Sequence, residues 1–256
     1  MATFVLVPGA WLGGWAWRGV APLLRAAGHA VVPVTLTGLG ERAHLGNPQV
    51  DLDTHITDVV NLLEFEDLRD VALVGHSYAG SVITGVADRS PGRIGKLVYL
   101  DTGPLAGDTP FIQMTPPDQR AELDRQVTEH GDGWRIPPML PWDGDPSLAA
   151  LGPDQREWVR SRTVAQPLGT YTQPLRLQGG ARGEFEKWLV SWTIPLVQVR
   201  EMIAGGHPWF RELAGPQWRF LERLGGHWQM FSAPEGLARS LEELAAADPL
   251  LPGSPG

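Results

Sequence analysis

The chain is expected to fold as an α/β domain: a mostly parallel central sheet with flanking helices and an inserted helical cap. Three observations predict this. Between residues 3 and 100, short apolar runs alternate with segments of helical periodicity, the rhythm of βαβ units on a parallel sheet. Within that stretch Val71-Ala-Leu-Val74 is uninterruptedly apolar, as a strand buried on both faces must be. A turn of small residues, Gly75-His-Ser-Tyr-Ala-Gly80, and a helix-like run to Ala87 follow it. From about Pro104 to Leu189 the rhythm breaks, prolines become dense and no strand is evident. Roughly eighty-five residues of structureless loop would be anomalous in a compact domain, so this stretch is read as the cap.

The elements follow in order. Thr3–Pro8 reads as a first buried strand, and Trp15–Ala27 as a helix stopped by Gly28. His29–Thr35 is a second strand, with Pro33 indicating a sheet edge. Asp53–Phe65 has helical spacing, and after the Val71 strand and its helix comes Gly95–Leu100, a strand ending at Asp101. Two helices are expected within the cap, near 118–130 and 154–165. The sheet is expected to resume at Ile194–Glu201, with a further strand at Gln217–Leu221 and a closing amphipathic helix over Pro234–Ala247. The expected division is therefore a core of 1–103 and 190–250, a cap of 104–189 and a flexible tail of 251–256.

Composition sets limits. With 256 residues, 43% hydrophobic and 20% charged, the chain has the make-up of a soluble globular protein. No cysteine is present, so disulfides and thiolate metal sites are excluded. Met1 leads directly into a strand with no basic flank, and no apolar run reaches membrane-spanning length; a cytoplasmic location is expected. A net charge of −8 disfavours nucleic-acid binding. The partners expected are a small aromatic substrate and, at most, a second copy of the chain, and no cofactor is expected.

The turn at 75–80 carries the chemistry. A serine at the apex between a buried strand and a helix is a nucleophile elbow, which lifts the Ser77 hydroxyl clear of the sheet. Ala79 stands where glycine is usual, adding one methyl at a close strand–helix approach. A serine hydroxyl needs a base, and of seven histidines His227 is best placed, in a glycine-rich loop between the last strand and the final helix. His76 reads as structural. An oxyanion would need two converging N–H donors: the Tyr78 amide from the elbow and the Ala10 amide from the loop after the first strand. Pro8 has no N–H to offer. Gly38-Leu-Gly40 lacks the third glycine of a dinucleotide loop and does not open a helix.

Phe4-Val-Leu-Val-Pro-Gly-Ala-Trp-Leu-Gly-Gly-Trp-Ala-Trp17, Thr35–Arg42, Val74-Gly-His-Ser-Tyr-Ala-Gly80, Leu97–Asp101 and Gly225-Gly-His-Trp-Gln-Met-Phe-Ser-Ala-Pro234 together resemble the alpha/beta-hydrolase superfamily. More narrowly they resemble its methyl-salicylate-esterase and hydroxynitrile-lyase-like branch, in bacterial form. The resemblance implies the α/β-hydrolase fold, Ser77 as nucleophile, His227 as base and the Ala10 and Tyr78 amides as oxyanion hole. It also exposes departures. Where many relatives carry an aspartate after the penultimate strand, this chain reads Val199-Arg-Glu-Met-Ile-Ala-Gly-Gly206. The third catalytic partner is then expected to be Asp101, which ends a strand at the carboxyl edge of the sheet; the alternatives are Glu201, or that neither serves. Hydroxynitrile lyases of the branch have lysine after the histidine and threonine in the first loop; Trp228 and Gly9 stand there, which disfavours cyanohydrin cleavage.

Eight of the eleven tryptophans fall between Trp134 and Trp228. With Trp11 beside the oxyanion loop and Trp228 beside His227, both as candidate substrate contacts, they suggest an aromatic-walled pocket for a flat apolar ligand. The expected function is a cofactor-independent serine hydrolase acting on an ester, thioester or lactone. The alternatives are a non-hydrolytic cyclase, carbon–carbon bond-forming enzyme or lyase on the same fold, and a ligand-binding homologue without turnover.

Overall fold

A computed structural model describes residues 1–138, 148, 150–179, 185–207 and 210–247. The expected tail, Trp142 and Trp209 lie outside these residues. The chain opens with β1 (Thr3–Val7), α1 (Ala21–Ala26), β2 (Ala30–Pro33), α2 (Leu52–Phe65), β3 (Val71–His76), α3 (Ala79–Arg89) and β4 (Ile94–Leu100). The intervening segment holds α4 (Pro117–His130), β5 (Arg135–Ile136), α5 (Pro153–Arg160), β6 (Gln166–Pro167) and α6 (Gly169–Thr172). The chain then returns through β7 (Glu186–Ser191), α7 (Leu196–Ala204), β8 (Trp218–Glu222), α8 (Gln229–Ser232) and α9 (Pro234–Ala246).

Six strands form one parallel sheet in the order β2-β1-β3-β4-β7-β8. Side chains alternate across it, and the two faces bury separate cores. Val5, Val7, Leu73, Leu97 and Tyr99 face one side, against Ile56, Val59 and Leu63 of α2 and Val82, Ile83 and Val86 of α3. Phe4, Leu6, Ala72, Val74, Val98 and Leu100 face the other, against Leu24 of α1 and Leu237, Leu241 and Leu244 of α9. This explains why β1, β3 and β4 read as continuous apolar runs. Pro33, which cannot donate to a ladder, sits on the edge strand β2.

Three expectations are corrected. Trp15–Ala27 is not one helix: a 3-10 turn at Gly14–Trp17 precedes the short α1. Ile194–Glu201 is not a strand. Pro195 caps α7, and Glu222 Oε2 accepts the Leu196 amide at 2.6 Å, satisfying one of the unpaired donors at the start of that helix. The strand lies earlier, at Glu186–Ser191, so the expected boundary at Leu189 falls inside β7. Its sequence begins Glu186-Lys187, which hides the strand signal. Glu186 is held by Lys96 and Arg219, each at 3.2 Å. Among the described residues no helix is long and apolar enough to cross a membrane.

Candidate active site

Ser77 follows β3 with φ of +54°, a left-handed backbone that a residue with a Cβ enters only at a cost. Its amide donates to the Leu100 carbonyl (3.2 Å) and its carbonyl accepts from the Gly80 amide (2.9 Å), so the tight turn is tied to the neighbouring strand and to the start of α3. The first loop comes very close to it. A Cβ on Gly9 would lie 3.1 Å from Ser77 Cβ and 2.9 Å from His76 Nδ1, so glycine is needed there for the loop to approach. Ala79 is fully buried inside this packing, and its methyl is accommodated.

Asp101 also has a left-handed backbone, φ +50°, at the end of β4. Its Oδ1 accepts from the Trp192 amide (3.0 Å) and from the Thr193 amide (2.9 Å) and hydroxyl (3.0 Å). Its Oδ2 meets His227 Nδ1 at 2.5 Å. Burial alone would raise the carboxyl pKa; the hydrogen bonds and charge from His227 and the two amides outweigh it and bring it down to about 2. A carboxylate can only accept, so Nδ1 carries the hydrogen and Nε2 of the neutral ring is left as the acceptor. Glu201, the alternative acid, is exposed on α7.

His227 is anchored a second time. His76 Nε2 donates to the His227 carbonyl at 2.9 Å, and the two rings lie 4.5 Å apart. Burial pushes the His76 pKa well down, so the ring is neutral and its Nδ1 bears no hydrogen. The sequence marked His76 as structural, and no pattern signalled that its support would reach His227.

The amides of Ala10 and Tyr78 make no turn or loop hydrogen bond among the described residues. The Tyr78 side chain is fully buried and contacts His55 Nδ1 at 3.0 Å. His55 Nε2 faces the Thr37 carbonyl at 2.8 Å, so Nε2 donates and the tyrosine hydroxyl donates to Nδ1. Burial lowers the His55 pKa to about 4, keeping it neutral, and raises that of Tyr78 well above its usual value.

Ser77 and Asp101 open onto a cavity of about 440 Å³. Its wall is largely apolar, with Phe111, Met114, Leu189, Val199, Met202 and Phe210 among the residues; His207, Ser191 and Thr193 add polar edges. A larger surface groove of about 680 Å³ beside Arg223 and Arg239 contains none of Ser77, Asp101 or His227.

The two tryptophans expected at the ligand are elsewhere. Trp228 is only 4% exposed and stacks on Phe231 in the α9-side core. Trp11 is turned toward the β4–β7 segment, with its Nε1 on the Ile136 carbonyl at 3.2 Å. Among the described residues the cavity's aromatic rings come from phenylalanine and histidine. His207, which no sequence pattern singled out, lines the cavity from the turn that follows α7.

This topology is that of the α/β hydrolases. The chain belongs to that family, whose model, the alpha/beta hydrolase family, matches residues 4–240, and it is a hydrolase of that fold. It is similar to a carbendazim hydrolyzing esterase from Nocardioides sp. (strain SG-4G), 39% identical over 95% of this chain and 100% of that one. A putative chloroplastic methylesterase 14 from Arabidopsis thaliana is 31% identical over 94% of this chain and 71% of its own length. Among solved structures it resembles an extracellular α/β-hydrolase from a Paenibacillus species, described as sharing structural and functional homology with tobacco salicylic acid binding protein 2. That match has a TM-score of 0.78 and 25% identity and covers 95% of this chain and 98% of the other. The methylesterase among these relatives agrees with the branch that the motifs resemble.

Proposed function

We propose that the protein is a cofactor-independent serine esterase acting on esters of small aromatic or otherwise apolar molecules. The observation that carries this reading is the Asp101–His227 contact, because it leaves His227 Nε2 as an acceptor at the edge of the sheet where Ser77 stands. Ser77 Oγ attacks the ester carbonyl carbon as its proton passes to His227 Nε2. The negative oxygen that forms is received by the Ala10 and Tyr78 amides. Collapse breaks the bond to the alkoxy oxygen, which leaves as an alcohol with the proton from His227. Water then attacks the acyl-serine, gives its proton to the same nitrogen, and the acid departs with Ser77 restored. Throughout, Asp101 holds the ring's orientation and stabilises its charged form.

The apolar cavity supports an apolar acyl or alcohol group, and the name of the Nocardioides relative makes carbendazim a first ester to test.

The experiment is treatment with an organophosphonate and assay with p-nitrophenyl acetate, carbendazim and methyl esters of aromatic acids. Phosphonylation of Ser77, with ester cleavage lost in Ser77→Ala, is expected. A folded protein that is neither labelled nor able to cleave any of these esters would overturn the reading.

A further inference from the structure

Trp11, the residue after Ala10, has a left-handed backbone with φ of +64°. All three of its hydrogen-bonding groups are taken by the segment between β4 and β7. Its amide donates to Gln166 Oε1 at 3.1 Å, its carbonyl accepts from the Val164 amide at 3.1 Å, and its indole donates to the Ile136 carbonyl at 3.2 Å. Gln166 is fully buried. Its Nε2 donates to Thr170 Oγ1 at 2.8 Å, and that hydroxyl donates to the Pro167 carbonyl at 2.6 Å. A carbonyl only accepts, so the threonine proton is committed to Pro167 and the hydroxyl must accept from the glutamine. The amide of Gln166 is thereby fixed with its oxygen toward Trp11.

We propose that Gln166 is a positioning residue for the oxyanion loop, setting the peptide that follows Ala10. This rests on the reading of the Ala10 amide as an oxyanion donor. Across a planar trans peptide the N–H and C=O point in opposite directions, so holding the Trp11 N–H on Gln166 keeps the Ala10 carbonyl turned away from it. It fixes Ala10 ψ and Trp11 φ together. A tryptophan at positive φ is disfavoured and would relax if released. Relaxation would rotate the backbone on which the Ala10 N–H is mounted. The inserted segment therefore shapes the oxyanion loop as well as walling the cavity.

The test compares wild type, Gln166→Leu and Gln166→Glu by steady-state kinetics with p-nitrophenyl acetate and by the rate of organophosphonate labelling of Ser77. Leucine removes the acceptor; glutamate keeps an oxygen facing Trp11. Gln166→Leu is expected to lower kcat by roughly 10- to 100-fold with KM within about twofold and to slow labelling by a similar factor; Gln166→Glu, in which the Thr170 hydroxyl turns from Pro167 to donate to the carboxylate, is expected to restore part of the loss. If the leucine variant does not fold, Thr170→Val, which frees the glutamine amide to turn, is expected to show a smaller loss with the same kcat-only character. A labelled, active wild type whose Gln166→Leu variant keeps kcat within twofold, or loses activity through KM alone, would overturn this role and leave the esterase reading standing. A wild type that is not labelled at Ser77 would overturn both.

Discussion

Asp101 Oδ2 lies 2.5 Å from His227 Nδ1, and the same carboxylate is gripped by the backbone amides of Trp192 and Thr193 at the end of β7. The ends of β4 and β7 and the loop after β8 thus converge on one side chain. Asp101→Asn keeps the shape but puts an amide where the ring needs a carboxylate, inviting the wrong imidazole tautomer. A loss in kcat of roughly 10³- to 10⁴-fold with a near-wild-type KM is expected in ester assays. The lowered pKa also has a stability consequence. The folded carboxyl, at about 2, binds a proton less readily than the ordinary 3.8, so its contribution is full above about 4 and is lost as pH falls through 2. Urea unfolding of wild type and Asp101→Asn should therefore differ in pH dependence in that acid window.

Ser77 holds a left-handed backbone that only glycine adopts without cost. Ser77→Ala and Ser77→Gly both delete the hydroxyl and both should be inactive. Only the second relieves the backbone, so it is expected to be more stable than the alanine variant by roughly 0.5–1 kcal/mol in urea unfolding, after allowance for the extra freedom of unfolded glycine.

His55 is buried and neutral behind Tyr78, with its pKa lowered from 6.5 to about 4. The unfolded chain therefore binds a proton that the folded one refuses between those values. Its contribution is full above 6.5 and falls as pH drops toward 4, by about 3 kcal/mol across the window. His76, lowered for the same reason of burial, acts in the same direction. In His55→Gln the loss of unfolding free energy between pH 7 and pH 5 should be smaller than in wild type.

Met202 reaches the cavity from α7 without being part of the Asp101–His227 pair. Met202→Trp narrows the space left for a bulky acyl or alcohol group. Cleavage of a large aromatic ester is expected to fall in kcat/KM by roughly tenfold while p-nitrophenyl acetate changes by less than about threefold. A large ester cleaved as well as before would mean that the cavity is not the substrate site.

Much of the core was legible. Strands buried on both faces, such as Val71–Val74, leave an unbroken apolar signature, and the small residues around Ser77 are demanded by close backbone approach. Ile194–Glu201 misled because a short run rich in β-branched residues suits a strand or a buried helix equally well by period. Pro195 and the distant Glu222 cap decide for the helix. The tryptophan wall failed for a related reason: abundance in sequence says nothing about which core an indole enters, and Trp228 is taken up against Phe231.

By itself the sequence determined the alternation of strands and helices, the elbow that presents Ser77, and the candidates His227 and Asp101, because these rest on local periodicity and turn chemistry. Only the tertiary structure decided that Asp101 and not Glu201 meets His227, that His76 and His55 brace the site, and that Gln166 clasps Trp11. Those contacts join residues tens to more than a hundred positions apart. Distance, burial and donor direction settle them, and none of these is written in spacing along the chain.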